Sequence, residues 1–157
     1  MTMILLRSVV APIYMVLSTI LGFGTTLGIC TWLFQDILSQ GGVNYVVPII
    51  VFALLIAIGA DYNIFLMSRI REESDSGDVR EGVRRAVPRV RGVIIACGII
   101  LAGTFAALTS ASLQSLFQIG AAIAIGVFID TFIIMAFLVP SIAAAVGKRS
   151  WWPGKGV

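Results

Sequence analysis

The sequence predicts an all-α membrane protein with four transmembrane helices. Mean hydropathy is +1.02, and 59% of the 157 residues are hydrophobic while 12% are charged. Soluble domains carry about twice that charged fraction. The charges are also segregated: uncharged runs fill Ser8–Gln35, Ile37–Ala60, Gly92–Ile129 and Thr131–Gly147. A helix needs about 20 apolar residues to cross the hydrocarbon. The first two runs therefore hold one span each, and the third must hold a helix, a turn and half of another.

The spans fall at residues 9–34, 45–68, 92–109 and 117–146, in a single transmembrane domain covering 1–157. The serine-rich stretch Ser110–Leu116 is the turn inside the third run. The first apolar run is too long for a cleavable signal peptide. Cys30 and Cys97 fall near opposite ends of their helices, a spacing that suggests neither a disulfide nor a metal site.

Charge distribution sets the expected orientation. All eleven Lys and Arg lie before the first span (Arg7), between spans two and three (Arg69 to Arg91), or after the fourth (Lys148, Arg149, Lys155). Basic residues are retained on the cytoplasmic side, so both termini and the 69–91 loop are expected in the cytosol. Trp151 and Trp152, just past the last span, fit an interfacial anchor.

Residues 69–91 hold seven arginines and five acids. Asp78 suits an N-cap, and Val79, Val83, Ala86, Val87 and Val90 then share one helical stripe, with Arg80, Arg84, Arg85, Arg89 and Arg91 around the rest. That pattern predicts a short cytoplasmic amphipathic helix along the inner leaflet, attracted to anionic lipid. Pro88 ends that helix or sits in the entry turn of the third span. So short a basic patch, tethered at a membrane, does not suit nucleic acid.

Two acids interrupt the spans, Asp61 (beside Tyr62) and Asp130. Residues four apart share a helix face. Ala53 and Ala57 lie on the face of Asp61, and Ala122 and Gly126 on that of Asp130. Small-residue stripes let helices approach closely, so both acids are expected to face protein. Gly98, Ala102, Ala106 and Ser110 give the third span a similar surface, with Thr104 nearby. A central Asp costs about 2.5–3.5 kcal/mol on insertion, and each Leu, Ile, Phe or Val offsets about 0.3–0.6. The fourth span has fifteen such residues between Phe117 and Val146 and tolerates its acid.

An apolar residue would insert better, so an intramembrane acid is a functional-site candidate by default. Burial disfavours the charged form of a carboxyl, and a nearby hydroxyl donor favours it. A group so balanced can load and release a proton. The alternative is that the acids only hydrogen-bond neighbouring helices. Tyr62 lies about 100° around the helix from Asp61 and does not stack on its face. Gly59 permits close packing beside the pair, and Pro140 is expected to kink the fourth span.

The segment IGADYNIFLMSRIREE (58–73) resembles the mycobacterial membrane protein large (MmpL) transporters of the resistance-nodulation-division (RND) superfamily. A second match is FQIGAAIAIGVFIDTFIIMAFLVPSI (117–142), and Trp151-Trp152-Pro153 is also similar. The resemblance implies a partial RND-type bundle, the last four spans of the C-terminal half. It also implies proton-motive-force-driven export of lipids or other hydrophobic compounds across the bacterial inner membrane. Asp61 and Tyr62 match the family's proton-relay pair, with Asp130 as a secondary intramembrane acid. The proton gradient is the energy source, without a cofactor. The expected partners are the bilayer, a hydrophobic substrate, and either a missing N-terminal half or a separate RND subunit.

This chain departs from the pattern in three ways. It has no N-terminal half carrying a partner Asp-Tyr pair, and its outer loops, Gln35–Asn44 and Ser110–Leu116, are too short for a porter domain. Met135 stands about where the family tends to carry an arginine, and Ile95 and Ala96 where it tends to carry hydroxyl residues. The chain is therefore expected to be a fragment, a truncated reading frame or one piece of a split transporter. Alternatives are a protein-export component like SecD or SecF and a non-transporting scaffold subunit. An enzyme is disfavoured by the lack of histidine, of a nucleophile beside a base, and of a phosphate loop.

Overall fold

The computed structural model describes residues 10–74, 78–147 and 150. Four helices are long and apolar enough to cross a membrane: α1 (Val10–Ile37), α2 (Val46–Glu72), α3 (Val79–Ser110) and α4 (Gln114–Val146). At 1.5 Å per residue even the 27 residues of α2 cover about 40 Å, more than the roughly 30 Å hydrocarbon core. The tryptophan pair Trp151-Trp152 and the basic residues Arg7, Lys148, Arg149 and Lys155 lie outside the described residues.

The fourth helix is the hub, packing against each of the other three. Two apolar clusters hold the bundle. One lies toward the end that carries the Arg-rich connection, the basic end, and includes Tyr14, Met15, Leu66, Met67, Ile70, Val90, Ile94, Ile134, Met135 and Val139. The other lies toward the opposite end, around Cys30, Phe34, Val47, Val51, Leu55, Ala122, Ile123 and Val127.

The amphipathic stripe of residues 79–90 is helical, and Asp78 caps it by accepting from Arg80 N–H at 3.0 Å. It does not lie apart on a leaflet. It runs straight on into the third span, through Pro88, and buries Val79, Gly82, Ala86 and Val90. Pro88 removes one amide donor from the helix, and its side faces outward. Ion pairs Arg69–Glu72 (2.6 Å), Arg85–Glu81 (2.8 Å) and Arg89–Glu73 decorate this end. Pairs this exposed add little stability.

At the opposite end, fully buried Gln118 fixes the loop between α1 and α2 onto the start of α4. Its Oε1 accepts from Asn44 N–H at 2.9 Å, and its Nε2 donates to Gln40 Oε1 (2.8 Å) and Gly42 O (2.9 Å). Within α4, residues Asp130–Leu138 adopt π-helical geometry before α-helix resumes at Val139. Pro140 cannot donate to the carbonyl four residues back, and its ring crowds that carbonyl. The wider π turn directly upstream makes room for it.

Candidate functional site

A polar layer separates the two apolar clusters. Thr19 on α1, Asn63 on α2, and Asp130 with Thr131 on α4 are 7%, 2%, 6% and 1% exposed, so all four side chains are removed from the lipid. Glycines at the same level admit them. A methyl group on Gly59 would lie 3.5 Å from Asp130 Oδ2 and 3.1 Å from Thr19 Cγ2; one on Gly22 would lie 3.9 Å from Asp130 Oδ1. On α3, a methyl group on Gly98 would fall inside the Thr131 side chain. Asp130 and Thr131 thus project from the hub helix into gaps that three neighbouring helices leave open.

Few hydrogen bonds close this layer. Asn63 Nδ2 donates to Thr19 Oγ1 at 3.4 Å, and Thr19 Oγ1 donates to Met15 O at 3.1 Å. Tyr62 Oη, Asn63 Oδ1, Asp130 Oδ2 and Thr131 Oγ1 are buried and find no partner among protein groups. Tyr62 is half-buried, packs on the cluster at the basic end, and lies within electrostatic range of Asp130 and Cys97. The layer also coincides with the first turn of the π segment, which begins at Asp130. π turns recur at functional sites because they re-aim side chains and loosen the backbone hydrogen-bond ladder.

The two acids part company. Ala122, Gly126 and Asp130 are all buried, so that small-residue stripe faces protein. Asp61 is exposed, together with Ala53, Ala57 and Ala60, contrary to the expectation from the sequence. The reason is the seam that α2 presents to the bundle: Val47, Val51, Leu55, Gly59, Asn63, Leu66 and Ile70. Asp61 is two residues from both Gly59 and Asn63, about 200° around the helix, on the far side. Tyr62 is half-buried within electrostatic range of Asp130, and Asp61 faces away from the bundle. On α3, Gly98 is buried and Ala102 half-buried, but Ala106 and Ser110 are exposed.

Thr19 and Asn63 are the members that the sequence reading passed over. Asn63 carried a signal, as an amide inside a span and four residues from Gly59 on one face. Thr19 carried none, because Ser18, Thr25, Thr26 and Thr31 on the same helix also bond back to carbonyls four residues earlier.

Comparison with known proteins fixes the lineage. A family model described as "MMPL family" matches residues 1–157. The chain belongs to the MMPL family. It is 43% identical over 152 residues to "Probable transport protein MmpL12" of Mycobacterium tuberculosis, covering 97% of this chain and 13% of that protein. It is 42% identical over 153 residues to "Probable transport protein MmpL10" of Mycobacterium leprae, covering 98% and 15%. ActII-3 of Streptomyces coelicolor is 41% identical over 150 residues, covering 96% and 21%. The chain thus spans about a fifth or less of the length of these MMPL relatives. Two of these relatives are named as probable transport proteins.

Proposed function

We propose that this chain is the proton-coupling C-terminal transmembrane portion of an MMPL exporter. That exporter moves lipids or other hydrophobic compounds out of a bacterial inner membrane at the expense of the proton-motive force. The segregation of basic residues supports placing both termini and the Arg-rich connection in the cytosol. Further transmembrane and extracytoplasmic segments, on the same polypeptide or a partner, complete the machine.

The observation that carries the reading is the outer face of α2, where Asp61 stands exposed on a surface of Ala53, Ala57 and Ala60. Small side chains allow another helix to approach closely, and an intramembrane acid on such a face is a functional-site candidate by default. Ionised Asp61 keeps water or a cationic partner at the face. Protonated Asp61 is a neutral donor that lets an apposed helix close. Each charge moved through 100 mV supplies about 2.3 kcal/mol, a population shift of roughly fiftyfold between open and closed packings. Tyr62 and Asp130, on the inner side of the same level, form the second station, and Asp130 there meets no basic residue at position 135, which is Met.

Transport by the assembled protein tests this. Asp61→Asn keeps size and polarity but cannot ionise, so export driven by an imposed proton gradient should be lost while the protein still reaches the membrane. Full export in that variant would end the proposal and leave the acid a packing group.

A further inference from the structure

Residues 79–91 open α3 as an upright helix, so their arginines stand at different depths instead of lying along one leaflet. Residues 92–110 of α3 carry no charge and, at 1.5 Å each, cover about 28 Å, close to the ~30 Å thickness of the hydrocarbon. Arg91 therefore falls at the hydrocarbon edge of the basic end, and Arg84 lies about 10 Å further out. Seven residues make almost two full turns, so Arg84 and Arg91 share one flank of α3, and Arg80 extends the row. Both Arg84 and Arg91 are exposed. Arg69, Arg85 and Arg89 pair with Glu72, Glu81 and Glu73, and Arg80 donates from Nε to Ala144 O at 3.3 Å. Among the described residues no carboxylate pairs with Arg84 or Arg91.

One turn deeper than Arg91 the same flank turns apolar. Arg91 lines a crevice whose remaining wall, Thr131 aside, is apolar and includes Leu66, Val87, Ile95 and Ala136. A helical side chain leans toward the N-terminus of its helix, which carries the Arg91 guanidinium from the hydrocarbon edge into the headgroup layer, toward Arg84. We propose that Arg84 and Arg91 bind the phosphate of an anionic phospholipid in the leaflet at the basic end, with its acyl chain against Ile95 and Ala136. Guanidinium N–H groups donate to phosphate oxygens in a planar fork. The unpaired positive charge selects an anionic headgroup over a zwitterionic one, and the apolar neighbours select a lipid over free phosphate. An acidic protein segment would satisfy the charge and leave the crevice uncovered. The site belongs to the basic end whichever side of the membrane that end faces, and it is independent of proton coupling.

Native mass spectrometry of the full chain in detergent micelles, titrated with phosphatidylglycerol or phosphatidylcholine, tests the site. The unsubstituted chain should take up its first phosphatidylglycerol at least about tenfold more tightly than phosphatidylcholine. Each basic residue near a membrane surface contributes about fivefold, so Arg84→Gln combined with Arg91→Gln should weaken that binding roughly twenty- to thirtyfold. Arg85→Gln combined with Arg89→Gln removes the same net charge from the same end, but from side chains already paired with carboxylates, and should weaken it severalfold less. Glycerol 3-phosphate in excess, which carries the phosphate without the chains, should leave the bound lipid in place. Equal affinity of the unsubstituted chain for the two lipids overturns the site, and that comparison needs no variant to fold. Equal losses in the two double variants reduce the effect to diffuse attraction and overturn it as well. Displacement by glycerol 3-phosphate would make this a free-phosphate site and overturn the assignment to lipid.

Discussion

Gly98→Ala is the sharpest probe of how the layer is built. The added methyl carbon would sit 2.6 Å from Thr131 Cγ2 and 2.9 Å from Thr131 Cβ. Carbon atoms pack best at about 3.5–4.0 Å, so α3 and α4 must separate by roughly an ångström or Thr131 must leave its rotamer. Overpacking of this kind costs about 1–3 kcal/mol. Gly103 on the same helix is the internal standard, since a methyl there meets nothing within 4 Å. Gly103→Ala should therefore be neutral or stabilising by up to about 1 kcal/mol through helix propensity. Denaturant unfolding in mixed micelles, followed by helical circular dichroism, measures both. Adding Thr131→Ala to Gly98→Ala removes the worst contacts but keeps Cβ, so a double-mutant cycle should return a coupling of about 1–2 kcal/mol. Equal stability of Gly98→Ala and Gly103→Ala would refute close α3–α4 contact at this level, and with it the account of how Thr131 is held.

Besides the Asp61→Asn transport assay, two further outcomes follow from the ends of the bundle. Gln118→Leu strands the Asn44 amide, the Gln40 side chain and the Gly42 carbonyl. It should cost about 2–4 kcal/mol and speed proteolysis between Ile37 and Tyr45, and unchanged cleavage would count against the latch. Asp78→Ala removes the cap of α3 and should cost about 1 kcal/mol, seen as faster amide exchange at Val79–Gly82 and unaltered exchange beyond Ile94.

What the sequence disclosed and withheld has a physical basis. The presence of four long apolar helices was legible because crossing hydrocarbon imposes a length and a composition. The Asp78 cap was legible because a carboxylate before a valine-spaced stripe has few other uses. Facing was not legible: with Leu, Ile, Phe and Val on every side of α2, the pattern holds no polar stripe, and small residues occur on both faces. Gly59 on one face and Ala57 on another look alike as packing signals, yet the glycine is buried against Thr19 and the alanine is exposed. The unbroken α3 was also hidden, because proline is read as a boundary although a long helix held by neighbours tolerates it. The π segment had no sequence signal beyond Pro140.

The exposed face of α2 constrains what can cover it. Thirteen Leu, Ile, Phe and Val residues between Val46 and Leu66 favour insertion by about 4–8 kcal/mol, against about 2.5–3.5 for a central Asp. Span two therefore enters the bilayer with Asp61 uncovered. Covering it with a purely apolar helix would gain only packing along Ala53 and Ala57, while stripping the carboxyl of what water it reaches. An ionised carboxyl so buried is strongly destabilising unless paired. A stable cover must therefore bring a hydrogen-bonding or cationic group to the level of Asp61, or close only when that acid is protonated. Asp61→Leu separates these cases. It removes the insertion cost and keeps the close-approach surface, so it should tighten association with a partner that binds through packing alone. Association with a partner that bonds the carboxyl should instead weaken by about 2–3 kcal/mol, about a hundredfold in affinity.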